Sequence, residues 1–258
     1  MSLNKTTFSI KNIDISIPDR ILIKDLSFKV HSNNFVAILG KNGAGKSLTL
    51  HTFAGLRLTR SGKILLNDNE IHNLKRRDIA KILALLTQDS EDIFPATVFD
   101  SVLIGRHPHI GAFHNESAED IKIAMDALKK VGLLELKNSD VNILSGGERR
   151  RLSIAQVITQ NAKIYLLDEP TNHLDPLHQI AILNLFKDMA DTDCIVMATM
   201  HDINLAAKYA THCLLFYGDG DWDFGAKEKI LNEENLTRLY NVPIQKIESN
   251  NNVFFINS

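Results

Sequence analysis

Residues 35–55 read FVAILGKNGAGKSLTLHTFAG, and this segment leaves the chain little choice of fold. FVAILG is continuously apolar, which suits a strand buried on both faces of a parallel sheet. It runs straight into GKNGAGKS (40–47), a match to G-x-x-x-x-G-K-[ST], and KSLTLHTFAGL then takes helical spacing. The glycines let backbone N–H groups close around phosphate oxygens, and the helix N-terminus adds a favourable dipole. Gly40, Lys41, Asn42, Gly43, Ala44, Gly45, Lys46, Ser47 and Leu48 are therefore the expected phosphate cradle. Lys46 is expected to reach the β- and γ-phosphates, and the Ser47 hydroxyl to hold Mg²⁺. The pattern predicts an ATP or GTP site.

A doubly buried strand needs neighbours of its own kind. LALLTQ (83–88), KIYLLDE (163–169), IVMATMH (195–201) and CLLFY (213–217) supply them, separated by helical patterns such as PLHQIAILNLFKDMA and DINLAAKYA. Strands alternating with helices indicate an α/β fold with a parallel sheet. FSIKNIDISI and DLSFKV alternate apolar and polar residues, so an antiparallel β subdomain is expected at the N-terminus, with RSGKILLN adding a short strand. From 89 to 160, TVFDSVLIGR, ESAEDIKIAMDALKKVGLL and GGERRRLSIAQVITQ have helical spacing with no strand between them, which predicts an inserted α-helical subdomain. One domain over 1–258 is expected: a core from 1–88 and 161–220, the insertion at 89–160, and a C-terminal extension at 221–258. In that extension GDGDWDFG reads as a turn, KEKIL and EENLTRLY as short helices, PIQKIES and NVFFIN as strands.

With 23% charged residues and a net charge of −2, no bulk attraction to nucleic acid or anionic lipid is expected. The longest apolar runs, ILALL and IYLL, fall far short of the ~20 residues of a membrane helix. MSLNKTTFSIKN has no apolar signal region. Cys194 and Cys213, the two cysteines, sit in apolar runs and read as buried thiols of a reducing compartment. These features predict a cytoplasmic protein that acts at a membrane only through a partner.

Further candidates sit at strand ends, where ligands of open α/β sheets bind. KIYLLDE closes on Asp168 and Glu169, one acid for the metal and one for the attacking water. Alone, such a pair reads as a strand ending in solvent; beside a phosphate loop the catalytic reading leads. His201 follows IVMAT and precedes a helix, which favours a γ-phosphate contact, and Gln88 ends LALLTQ. LSGGE (144–148) then offers a second anion site. Gly146 and Gly147 allow close approach, and Ser145 can cap the helix that follows. A second phosphate site has no use within one molecule unless two copies meet head to tail around two nucleotides. The plain alternative is a glycine turn with a capped helix. Arg149 to Arg151 point in different directions on that helix, so a solvated face or a dimer contact is expected.

GKNGAGKS, Gln88, LSGGE, IYLLDEP, NHLD (172–175) and His201 occur in the order of the ATP-binding cassette ATPases, and the chain resembles that family over most of its length. The resemblance implies ATP and Mg²⁺ as ligands. It makes Glu169 the catalytic base, with Lys46 and His201 on phosphate, and places Ser47, Gln88 and Asp168 around the metal. It sets Asp175 at a dimer seam, and Ser145, Gly146, Gly147 and Glu148 on the ATP of the opposite subunit. Two departures stand out. Ile17 occupies the place where the family usually stacks an aromatic on adenine, and Leu48 replaces a frequent threonine. IGRHPH and NEENLTRLYNVPI resemble ATPases of bacterial importers for iron–siderophore, haem or cobalamin. That resemblance implies an integral-membrane permease as partner and, indirectly, an extracytoplasmic binding protein. A soluble cassette for iron–sulfur or cofactor assembly, and an exporter ATPase, are the alternatives. His107, His109 and His114 lack the carboxylate or cysteine spacing of a metal site and read as a surface loop.

Overall fold

The computed structural model describes residues 6–88, 95–111, 114–249 and 252–257. Residues 1–5 of the N-terminal segment, 89–94 after Gln88 and 112–113 of the histidine loop, all used in the sequence reading, lie outside the described residues.

Strands β1 (Thr7–Ile17), β2 (Arg20–His31), β4 (Lys63–Leu66) and β5 (Asn69–Glu70) form an antiparallel sheet in the order β2-β1-β4-β5. The second sheet contains β3 (Asn34–Gly40), β6 (Leu83–Leu86), β7 (Ile164–Leu167), β8 (Ile195–Thr199), β9 (His212–Phe216) and β10 (Trp222–Ala226). Its order is β10-β9-β3-β8-β7-β6, parallel except for β10. Side chains alternate faces along a strand, and here each face has its own core. Phe35, Ala37 and Leu39 of β3 pack with the helices. Val36 and Ile38 pack with Phe8, Leu26 and Phe53 against the antiparallel sheet. That sandwiching explains why these strands read as unbroken apolar runs.

The helices are α1 (Lys46–Phe53), α2 (Arg76–Ile82), α3 (Val98–Leu103), α4 (Ala118–Lys130), α5 (Gly146–Thr159), α6 (Pro176–Asp191), α7 (Ile203–Tyr209), α8 (Lys227–Ile230) and α9 (Glu233–Tyr240). A hairpin of β11 (Ile244–Ser249) and β12 (Asn252–Asn257) follows them. The helix α2 was not anticipated, because its seven residues bury only Ile79 and carry no apolar stripe. The turn expected in GDGDWDFG is shorter than predicted. It occupies the residues around Gly218 (φ 89°) and Gly220 (φ 104°), and the rest of the segment is β10. Paired Gly and Asp residues signal a turn, and only the packing of Trp222 and Phe224 against the second core reveals a strand.

Helices α3, α4 and α5 pack on one another through Val98, Val102, Ala124, Leu128, Leu152 and Ala155. A buried ion pair ties them together. Arg106 Nε donates to Asp120 Oδ1 at 2.7 Å, and another nitrogen of Arg106 donates to Thr159 O at 3.1 Å. Asp120 also closes the capping box of α4, taking hydrogen bonds from the Ser117 hydroxyl and amide. The Ser117 hydroxyl first, and Arg106 next, hold the Asp120 pKa down at about 2. The folded pKa lies below the unfolded one. The stabilisation is therefore present at neutral pH and lost as pH falls from about 4 to about 2; at ~1.4 kcal/mol per pKa unit it amounts to about 2 kcal/mol. Arg106→Met leaves the buried carboxylate without its cation and should cost about 3 kcal/mol. Thermal melts between pH 7 and pH 2 check both statements. If Asp120→Asn melts with the same acid dependence as the parent chain, this pair is not the source.

Candidate nucleotide site

The chain leaves β3 at Gly40 and reaches α1 through a loop that needs left-handed backbone at Gly43 (φ 80°) and Gly45 (φ 95°). Non-glycine residues pay for such angles, and at Gly45 an added Cβ would also come within 3.2 Å of Leu22. Lys46 opens α1, is buried, and donates through Nζ to Gly40 O at 2.8 Å and Lys41 O at 3.2 Å. Burial lowers its pKa, while the charges of Glu169 and Asp168 act in the opposite direction. The cleft above the loop has a volume of about 750 Å³. Asn42, Gly43, Gly45, Lys46, Ser47, Leu48, Gln88, Glu169 and His201 line it, with Ile17, Arg20, Leu22 and His51 on its flank. Ile17 lies on that flank with its aliphatic side chain 42% exposed.

Four strand ends converge on this cleft. The last ladder pair of β6 and β7 is Leu86 with Leu167, and Gln88, Asp168 and Glu169 follow directly. Asp168 is buried, and its Oδ1 accepts from the Thr199 hydroxyl at 2.7 Å. Its Oδ2 is buried with no hydrogen-bond partner among the described residues. A carboxylate oxygen left in that state is costly unless a cation completes it. The chain turns at Glu169 (φ 46°), so this second acid leaves the strand line. Its amide donates to Thr199 Oγ1 at 2.7 Å, and its carboxylate meets His201 Nε2 at 2.6 Å and Asn172 Nδ2 at 3.3 Å. His201 sits just before Asp202, the N-cap of α7, which accepts from the amides of Asn204 and Leu205.

Gly40, Lys41 and Ala44 of the loop and the buried Asp168 are not among the residues that line this cleft, and neither are Ser145, Gly146, Gly147, Glu148 and Asp175. Ser145 caps α5 within a capping box: its hydroxyl accepts from the Glu148 amide and donates to Glu148 Oε2 at 2.6 Å. That bond, above all, lowers the Glu148 pKa. Asp175 caps α6, accepting from His178 N at 2.9 Å and meeting its Nδ1 at 2.8 Å. The two segments are neighbours, for a Cβ on Gly147 would lie 3.4 Å from His173 O. Around Gly146 such a Cβ would meet nothing within 4 Å, and its φ is not positive. Among the described residues nothing requires glycine there.

The three arginines do point in different directions: Arg149 is exposed and Arg151 half-buried, while the buried Arg150 departs from the expected solvated face or dimer contact. Arg149 donates to Leu144 O and Asn142 O, and Arg151 to Val131 O and Gly132 O. Arg150 is buried, with its guanidinium under the strand ends that carry Gln88, Asp168 and Glu169. Helical geometry alone offered it a solvated face or a dimer contact, and nothing local marks the carbonyls it meets. Thr199 was also missed; its only signal is a hydroxyl closing an apolar strand. Cys194 and Cys213 are both buried and free, as read. Among the described residues no group of three or more His, Cys, Asp or Glu is placed to hold a metal, and His109 Nε2 meets Gln160 O at 2.8 Å.

The family described as ABC transporter matches residues 23–172. The chain is 33% identical over 209 residues to the iron(3+)-hydroxamate import ATP-binding protein FhuC of Bacillus subtilis, covering 81% of this chain and 78% of that one. It is 32% identical to the petrobactin import ATP-binding protein FpuD of Bacillus anthracis, over 91% of this chain and 86% of that one. Likeness to the cobalamin import ATP-binding protein BtuD of Halobacterium salinarum is 31% over 92% of this chain, which spans only 60% of that relative's length. Among solved structures, a metal-chelate type ABC transporter in an inward-facing conformation superposes with a TM-score of 0.84 at 30% identity, covering 99% and 98% of the two chains. With the phosphate loop, the paired acids and the LSGGE helix already placed, these likenesses make the chain a member of the ABC transporter ATP-binding family.

Proposed function

We propose that this chain is the ATP-hydrolysing subunit of an importer for a metal chelate such as an iron–siderophore, haem or cobalamin. The convergence of Lys46, Gln88, Glu169 and His201 on one cleft, with the buried Asp168 next to Glu169 at the same strand end, carries the reading. The import ATP-binding proteins it resembles indicate the branch. Lys46 binds the phosphates with the loop amides of residues 40–48. Glu169, oriented by His201 and Asn172, takes the proton of the attacking water. Ser47, Gln88 and Asp168 would hold Mg²⁺, and the partnerless Asp168 Oδ2 fits that role. When bound, the ion neutralises charge developing on the transferred phosphate. Thr199 holds both Asp168 and the Glu169 amide and so fixes the two acids relative to each other.

The LSGGE helix acts on the ATP of a second copy in a head-to-tail homodimer, with Asp175 at the seam. The open space around Gly146 supports this, since a helix residue with no internal need for glycine suits the close approach of another body. No helix among the described residues is long and apolar enough to cross a membrane, so the work on cargo falls to permease subunits. A groove of about 790 Å³ between α2 and the helical layer, lined by Arg76, Arg77, Ile104 and His107 among others, gives such a subunit a seat at the cytoplasmic face. An extracytoplasmic binding protein then selects the cargo.

The test uses tagged Glu169→Gln protein held in ATP and Mg²⁺ and extracted from native membranes in mild detergent. A polytopic membrane protein should copurify. Recovery of soluble partners alone, with the ATPase absent from membranes, would move the assignment to a cofactor-assembly machine.

A further inference from the structure

Arg150 lies in α5, less than two turns of helix from Ser145. Its guanidinium spans four backbone carbonyls. One terminal nitrogen donates to Thr87 O at 2.7 Å and Gln88 O at 3.2 Å; the other donates to Asp168 O and, at 2.7 Å, to Glu169 O. These carbonyls lie just past the last ladder pair of β6 and β7. The residue is 5% exposed. The contact to Asp168 O is buried and the other three are half-buried, and Glu169 O also accepts from the Asn172 amide. A desolvated carbonyl that loses its donor is costly, so the guanidinium ties α5 to these strand ends in both directions. Arg149 and Arg151 meanwhile anchor α5 to the turn before LSGGE and to the end of α4. The helix that presents Ser145 to Glu148 is thus fastened directly to the residues that present Gln88, Asp168 and Glu169.

In the head-to-tail homodimer proposed above, on which this step rests, those two groups serve different nucleotides. Gln88, Asp168 and Glu169 act on the ATP held by their own phosphate loop. Ser145 to Glu148 act on the ATP held by the second copy. We propose that Arg150 is a positioning residue that couples the two ATP sites: its guanidinium carries a shift of the strand ends at one nucleotide to α5, and so to the LSGGE turn that closes the other, and carries a shift of α5 back to those strand ends. The flat fork matters. It serves four acceptors in fixed directions, whereas an ammonium is a point charge with three donors.

A mixed dimer separates this role from local support of the acids. Two tagged copies are co-expressed, one of them carrying Glu169→Gln. Turnover then comes only from the intact copy, at the site closed by the other copy's LSGGE turn. Arg150→Met is next added to the copy that already carries Glu169→Gln, whose own acids no longer contribute. Coupling lowers turnover per mixed dimer by about 2- to 30-fold, as found for residues that carry energy between sites. Arg150→Lys gives a smaller fall, and it decides the matter alone if Arg150→Met does not fold. Unchanged turnover in a mixed dimer that does form overturns the coupling and leaves the pairing intact. Failure of Glu169→Gln alone to give an ATP-dependent dimer by size exclusion overturns the pairing itself.

Discussion

Glu169→Gln protein binds ATP at least as tightly as the parent chain and hydrolyses it between about a hundredfold and ten-thousandfold more slowly, the usual contribution of a positioned general base. The geometry sets this expectation. The Glu169 carboxylate is held from two sides, by His201 Nε2 at 2.6 Å and Asn172 Nδ2 at 3.3 Å, at the mouth of the cleft that Lys46 lines. Glutamine keeps the shape and still offers one oxygen to His201 Nε2, while the weaker Asn172 bond, made to the other carboxylate oxygen, is lost; the Glu169 amide keeps its bond to Thr199 Oγ1, so the strand end stays where it is. What disappears is the basic oxygen that accepts the proton of water. Removing a negative charge beside the phosphates also removes a repulsion, worth about 1 kcal/mol or more at contact distance. ATP-bound protein therefore accumulates. Phosphate release gives the rate, and titration with a fluorescent ATP analogue gives the affinity. A turnover close to that of the parent chain would assign the base to another residue.

The strands that place Glu169 were legible because they are buried on both faces. Such strands leave unbroken apolar runs, and IYLL and IVMAT need no partner to be recognised. The phosphate loop was legible because its glycines answer to backbone angles the sequence itself specifies, as at Gly43 and Gly45. Arg150 and Thr199 belong to a different class. Each is an ordinary residue for its element, an arginine on a helix and a threonine in a strand. Each acquires its role from carbonyls or carboxylates that fold in from residues 18 to 63 positions away. Helical spacing offered Arg150 a solvated face or a dimer contact because it counts neighbours along one helix, and its partners lie just past the ends of two strands. The same reasoning explains β10, whose Trp222 and Phe224 find their core only after β9 has joined the sheet. Local conformation and burial period were therefore readable, whereas side-chain contacts between distant elements were not.

Lys46→Ala should weaken ATP binding by about 10- to 150-fold, from the ~1.5–3 kcal/mol carried by a hydrogen bond to a charged group. Lys46 is 6% exposed, and its ammonium is already directed by two loop carbonyls, Gly40 O and Lys41 O. Nucleotide therefore meets a donor whose rotamer cost has been met in folding. Its loss has a second effect. Asp168 and Glu169 both act on this lysine electrostatically, so removing it leaves two carboxylates facing the phosphates with the nearest cation gone. Stability changes far less than affinity. The variant forfeits two ordinary hydrogen bonds without stranding a buried ammonium, a cost of about 1–2 kcal/mol. A melting curve close to that of the parent chain, alongside the loss of ATP binding, separates a binding role from misfolding. Lys46→Arg sharpens the test. A guanidinium carries the same charge but is too broad for a cradle that closes on a single nitrogen, and it should not restore affinity. Full recovery in Lys46→Arg would show that the cleft reads charge alone. Unchanged affinity in Lys46→Ala would remove the lysine from the phosphate site altogether.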